Sequence, residues 1–188
     1  RLQAMIESRF LEDNEKILRN LKKIPTFEPF GDKDLRSLLK RSKLRKYLPG
    51  ETIIKEGVSG SWVYFLVYGE VAIVQQGRTV TSTDRPGELM GEMGAIDGAR
   101  RSATVVAQKE TVCLATDTRQ IKHLAGYDRM AYSYILYRVF AEVLADRLRA
   151  TTRELIRERA KFSLIRWQPQ LLMVKLKRLM GRTIGLGV

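Results

Sequence analysis

The chain has 188 residues, 44% of them hydrophobic and 29% charged, with a formal net charge of +13 at pH 7. That length suits one core with appendages rather than two full domains, and the apolar content excludes wholesale disorder. The longest unbroken apolar run, Trp62 to Tyr68, is far too short to span a bilayer, no charged-then-apolar leader opens the chain, and the single Cys113 excludes an internal disulfide, so a cytoplasmic, reducing setting is expected.

Taken in order, residues 2–23 read as helix broken near Asp13-Asn14, with Met5, Ile6 and Phe10 on one face before the break and Ile17, Leu18 and Leu21 after it. Pro25 ends the run. A turn at Phe27 to Gly31 follows, and Asp32 is placed to cap a helix whose apolar face is Leu35, Leu38 and Leu39. From Lys43 to Asp117 the period falls to two. Strands are predicted at Leu44–Leu48, Thr52–Lys55, Trp62–Val67, Glu70–Gln75, Thr79–Thr83, Glu88–Gly91, Arg101–Ala107 and Thr111–Thr116. Turn residues separate them, among them Gly50, Gly57 and Gly69, whose simplest role is to satisfy backbone angles. Eight short strands with regular turns predict a sandwich or jelly roll.

Helix returns after the strands. Asp117 or Thr118 caps Arg119–Leu124, Gly126 interrupts, and Asp128 opens a long run carrying Ile135, Leu136, Val139, Phe140, Val143, Leu144 and Leu148. Beyond it the apolar spacing thins to Leu148, Leu155 and Phe162, compatible with a parallel helix pair but short of a regular heptad repeat. The tail carries Trp167, a break at Pro169, a basic amphipathic stretch from Leu171 to Met180, and Gly181 with a loose end. Residues 147–188 hold 11 basic and 2 acidic groups, so they supply +9 of the +13. Such asymmetry points to an acidic partner, a membrane surface or nucleic acid, or to a helix with its charges turned outward.

One stretch carries more chemistry than the rest: Gly87 to Val105, read as strand, one-turn helix, Gly-bearing bend and strand. A helix start at Glu92 offers backbone N–H groups suited to a phosphate, with Gly91 allowing close approach of the backbone. Arg101 adds a planar fork for two phosphate oxygens, and Ser102 a hydroxyl donor. Glu92 repels phosphate but accepts hydrogen bonds from sugar hydroxyls. Together they describe a pocket for a ribose-phosphate. Arg100 is turned the other way by strand alternation, and Met90 and Met93 are read as core filler beside the pocket. Thr104 is more simply an inward strand residue than a ligand contact.

Gly91-Glu92-Met93 with Arg101-Ser102-Ala103-Thr104-Val105, nine to thirteen residues beyond Glu92, resembles the phosphate-binding cassette of cyclic-nucleotide-binding domains, the family of the bacterial cyclic-AMP receptor protein and protein kinase A regulatory subunits. Met93 stands where the family has Leu, and Arg100 where the eukaryotic cassette often has Pro. The likeness extends to Leu21-x-x-Ile24-Pro25-x-Phe27 before the strands, to Pro49-Gly50-Glu51 through Gly57, and to Tyr64-Phe65-Leu66-x-x-Gly69-Glu70-Val71. It implies an α+β fold: an eight-stranded β jelly roll flanked by N-terminal helices and a long C-terminal helix. The domains implied are an N-terminal helical segment at 1–30, a cyclic-nucleotide-binding domain at 31–152 and a basic helical tail at 153–188. Within the second, the roll covers about 43–117 and closing helices 119–152.

The resemblance also assigns roles: Arg101 grips the phosphate, Glu92 takes the ribose 2′-hydroxyl, and Gly91, Met93, Ser102 and Thr104 complete the cassette. Ser102 leans toward cyclic AMP, with cyclic GMP as the alternative. Ala145 to Thr152 is similar to the segment that closes over the base in the bacterial receptor, which makes Thr151 and Thr152 base contacts and Arg147 a partner of Glu92. By helix chemistry alone these three are ordinary surface residues. The function implied is a non-enzymatic sensor, a homodimer in cyclic-nucleotide signalling, that relays occupancy through its C-terminal helix. The alternative is a DNA-binding regulator of the same family, present as a fragment or with a degenerate DNA-binding part, since no second recognition helix is recognisable after Pro169. An enzyme on this roll would need clustered His and carboxylates, and His123 is the single histidine.

Overall fold

A computed structural model of the chain describes the backbone of residues 6–8, 11 and 15–183, with side chains at 11, 15–95 and 98–161. Two compact units result, Arg1–Ala141 and Glu142–Val188.

Among the described residues of the first unit, nine strands make two antiparallel sheets. The five-stranded sheet contains β1 (Ile6–Ser8), β2 (Ser42–Tyr47), β4 (Trp62–Tyr68), β7 (Leu89–Met90) and β9 (Thr111–Asp117), in the order β1-β2-β9-β4-β7. The four-stranded sheet contains β3 (Thr52–Ile54), β5 (Val71–Gln75), β6 (Arg78–Thr83) and β8 (Thr104–Ala107), in the order β3-β8-β5-β6. The eight strands expected of the roll are all present, and β1 is an addition.

Alternation gives the five-stranded sheet two apolar faces. Tyr64 and Leu66 of β4, with Cys113 and Ala115 of β9, face the inside of the roll, where they meet Ile54, Val71, Met90 and Val105. Val63, Phe65 and Leu114 alternate with them and are wholly buried. On that second face the Phe65 ring lies 4.9 Å from the ring of Phe27, bringing in the helical layer. This layer comprises α1 (Glu15–Lys22), α2 (Asp32–Leu39) and the start of α4 (Gly126–Thr183), which buries Tyr132, Ile135 and Leu136. The Tyr132 hydroxyl donates to the Asp117 carbonyl at 2.9 Å, anchoring α4 to the end of β9.

Four local expectations are corrected. Of the helix expected over 2–23, the described residues form Glu15–Lys22, while Ile6–Ser8 pairs antiparallel with β2 instead; residues 2–5, 9–10 and 12–14 lie outside the described residues. A three-residue stretch at an open sheet edge gains ladder hydrogen bonds that its own sequence cannot announce. The α2 cap is Gly31 rather than Asp32, whose carboxylate pairs with Lys22. The Arg101–Ala107 strand begins only at Thr104. Finally, α4 runs through Pro169 without a break in helical assignment, because a single proline removes one backbone bond while the adjoining turns keep theirs. Asp117 does cap the 3-10 turn Thr118–His123, accepting from the Arg119 N–H at 3.1 Å.

Candidate functional site

The cassette is built from a sharp reversal. β7 ends at Met90, and Gly91 takes φ +85° and ψ 9°, a left-handed conformation that most side chains resist. This turn launches α3 (Glu92–Asp97), which Gly98 ends with φ +73°. The returning chain is then stitched to the loop after β3. Arg101 donates its backbone N–H to the Val58 carbonyl and accepts from the Gly57 N–H, both at 2.9 Å. Thr104 Oγ1 accepts from the Glu56 N–H at 3.0 Å. Those bonds lie outside the β8 ladder, which is why Arg101 to Ala103 leave the strand.

The stitching aims Arg101 inward. Its side chain is 7% exposed and donates to the Gly91 carbonyl and, at 2.5 Å, to the Trp62 carbonyl. A guanidinium has five N–H donors, so three remain for an incoming anion. Burial pulls the Arg101 pKa below its usual value, while Tyr64 and Glu92 push the other way. Arginine nevertheless stays protonated in proteins, so the net effect is a desolvated cation close to the Glu92 carboxylate. Glu92 is 2% exposed. Gly91 is required here for a second reason: a Cβ on it would lie 2.6 Å from Arg101 Nη1 and 3.0 Å from Ile54 Cδ1.

Of the expected residues, Gly91, Glu92 and Arg101 thus meet in one small volume. Ser102 and Met93 sit at its lip, where Ser102 Oγ lies 3.9 Å from Met93 Sδ. Met93 is 50% exposed, a correction to its reading as core filler, whereas Met90 is buried. Thr104 spends its hydroxyl on Glu56. Arg100 is exposed, 3.4 Å from the Gly57 carbonyl, and lies in the bend rather than on a strand. Arg147, Thr151 and Thr152 belong to the second unit, where they are exposed along α4. Sequence reasoning missed Gly57, Val58 and Trp62, which act through backbone groups that carry no side-chain signature.

A family model described as the cyclic nucleotide-binding domain matches residues 44–128, a span containing β3 to β9 and the whole cassette. This segment belongs to the cyclic nucleotide-binding domain family. Similar proteins carry the domain in different settings. A cGMP-dependent protein kinase of Eimeria tenella is 35% identical over 93 residues, which are 50% of this chain and 9% of the kinase. A cAMP-dependent protein kinase regulatory subunit of Colletotrichum orbiculare is 29% identical over 113 residues, 60% of this chain and 28% of that subunit. This chain therefore spans only a minor part of either relative. The crystal structure of a cyclic nucleotide-binding domain from Methylobacillus flagellatus superposes with a TM-score of 0.67, covering 82% of this chain and 89% of that one at 22% identity, a likeness of fold. The cyclic nucleotide-binding domain is a ligand-binding regulatory fold rather than a catalytic one. Among the described residues no helix is long and apolar enough to cross a membrane.

Proposed function

We propose that this chain is a non-enzymatic cytoplasmic sensor that binds a cyclic nucleotide, cyclic AMP in preference to cyclic GMP. The observation that carries the reading is the buried Arg101 guanidinium, held beside Glu92 with donors to spare. The cyclic phosphate takes those donors, α3 amides assist, and Glu92 accepts the ribose hydroxyl. Gly91, Met93, Ser102 and Thr104 complete the cassette, with Thr104 acting through Glu56. A serine at 102 supports cyclic AMP, although the relatives include both cAMP- and cGMP-dependent proteins.

Occupancy is relayed by movement of the C-terminal helix, and only as far as the nucleotide's differential affinity for two arrangements allows. A homodimer is supported by Leu144, Leu148 and Leu155, all exposed on α4 at separations of four and seven residues. The basic tail, residues 153–188, meets an acidic partner, a membrane surface or nucleic acid, in keeping with its excess of basic residues. Calorimetric titration with both nucleotides, on wild type and on Arg101→Ala, tests the reading, and sedimentation velocity tests the dimer. A wild type that ignores both nucleotides overturns the sensor.

A further inference from the structure

The first unit also carries a recess that is separate from the cassette pocket. It is a cleft of about 610 Å³, in the size range of small-molecule sites. One wall is apolar and comes from Leu136 and Phe140 of α4 with Ile121 of the 3-10 turn. The opposite wall is made of small residues, Gly60, Gly94 and Ala95. Arg119 and Lys122 line the cleft and are exposed, as is Tyr137. None of the residues expected in the nucleotide pocket lines this cleft.

We propose that the cleft is a second ligand site, and that its ligand is a small organic anion with an apolar ring or short acyl body. The chemistry on each side argues for that class. Tyr137 is exposed and Ile121 half-buried, so an apolar body has a ring and an aliphatic side chain to cover, while Leu136 and Phe140, 1% and 5% exposed, close the wall behind them. The opposite wall carries no bulk, which leaves room for a flat ring. Lys122 makes no ion pair among the described residues, and Arg119 spends Nε and Nη2 on Asp117, leaving Nη1 for a carboxylate or sulfonate. Among the described residues, the carboxylate in contact with this rim is Asp117, already engaged by Ser61 and Arg119. An anionic head is therefore attracted rather than repelled.

The site also has a route to the cassette. A Cβ on Gly60 would lie 3.2 Å from Arg101 Nη2, and one on Gly94 would lie 3.6 Å from Arg101 Cδ. Gly60 and Gly94 thus line the cleft and stand beside the phosphate-gripping side chain, so a ligand that displaces either glycine shifts Arg101 with it and alters affinity in the cassette, reciprocally.

The test uses the full chain and 8-anilinonaphthalene-1-sulfonate, an anion with an aromatic body. One saturable site is expected, displaced by octanoate. Lys122→Glu weakens the probe about three- to tenfold, since an exposed attraction is replaced by repulsion. Ala95→Leu, which narrows the cleft, weakens it at least as much. If that variant fails to fold, the exposed Lys122→Glu decides alone. Saturating cyclic AMP shifts probe affinity to a plateau. Equal affinity in wild type and both variants, or displacement by cyclic AMP that grows without a plateau, overturns the second site. A protein that ignores cyclic AMP refutes the sensor reading alone, because the two variants still judge the cleft.

Discussion

Replacing Gly91 by alanine probes how tightly the cassette backbone is packed against the Arg101 guanidinium. Two costs are legible. With φ at +85° the substitution forces an L-residue into the left-handed region, at about 1–2 kcal/mol. Its Cβ would also stand 2.6 Å from Arg101 Nη1 and 3.2 Å from Cζ, an overpacking worth about 1–3 kcal/mol. Against these, alanine restricts the unfolded chain and returns roughly 0.4–1 kcal/mol. The net expectation is destabilisation by about 2–3 kcal/mol. Gly77 supplies the control, because it has φ +76° and a methyl group there would find nothing within 4 Å. Gly77→Ala carries the backbone strain alone, about 1 kcal/mol. Urea denaturation followed through Trp62 fluorescence in a Trp167→Phe background measures both. The excess of Gly91→Ala over Gly77→Ala is the clash with the guanidinium, and adding Arg101→Ala to Gly91→Ala relieves it as a coupling energy. Equal losses at the two glycines would refute the placement of Arg101 against Gly91.

Three further expectations bear on neighbouring parts. Burial pushes the Cys113 thiol from 9.0 up to about 12. A raised acid leaves stability intact below the unfolded value and erodes it as pH climbs from about 9 to 12, so Cys113→Ala flattens that part of the stability profile. In native protein at pH 8, Cys113 resists a thiol-specific disulfide reagent, and it reacts fully in urea. Asp117 is 5% exposed; burial pushes its carboxyl up, but hydrogen bonds from Arg119 and Ser61 outweigh this and hold it below 3.8. Its contribution is present above that value and disappears as pH falls through the lower folded one. Asp117→Ala costs about 2–3 kcal/mol in denaturation, from the lost cap and the orphaned Ser61 hydroxyl. Thr151→Ala combined with Thr152→Ala weakens cyclic AMP about fivefold or more if these residues touch the base; unchanged calorimetric affinity removes them from the site.

The strands of the roll are legible because inward and outward residues alternate between glycine-marked turns, as Tyr64 and Leu66 against Val63 and Phe65 demonstrate. The Ile6–Ser8 strand is not, since an apolar residue every third or fourth place fits a helix face as well as a frayed edge strand. Spacing alone brings Gly91, Glu92 and Arg101 together. The means by which Arg101 is held inward lies beyond reach, because Val58, Gly57 and Trp62 contribute only main-chain groups. Met93 escapes a sequence reading for a related reason. On a six-residue helix between two left-handed glycines, apolar character does not say which way a side chain points.

Isothermal calorimetry of the wild-type chain with cyclic AMP, repeated on Arg101→Ala, tests the central claim most directly. The account predicts a single saturable site per chain in the wild type, tighter for cyclic AMP than for cyclic GMP. In the variant it predicts a loss of about a hundredfold, equivalent to about 3 kcal/mol for a buried charged partner removed. Full-strength binding without the guanidinium, or no heat from either nucleotide in a folded wild type, would contradict it.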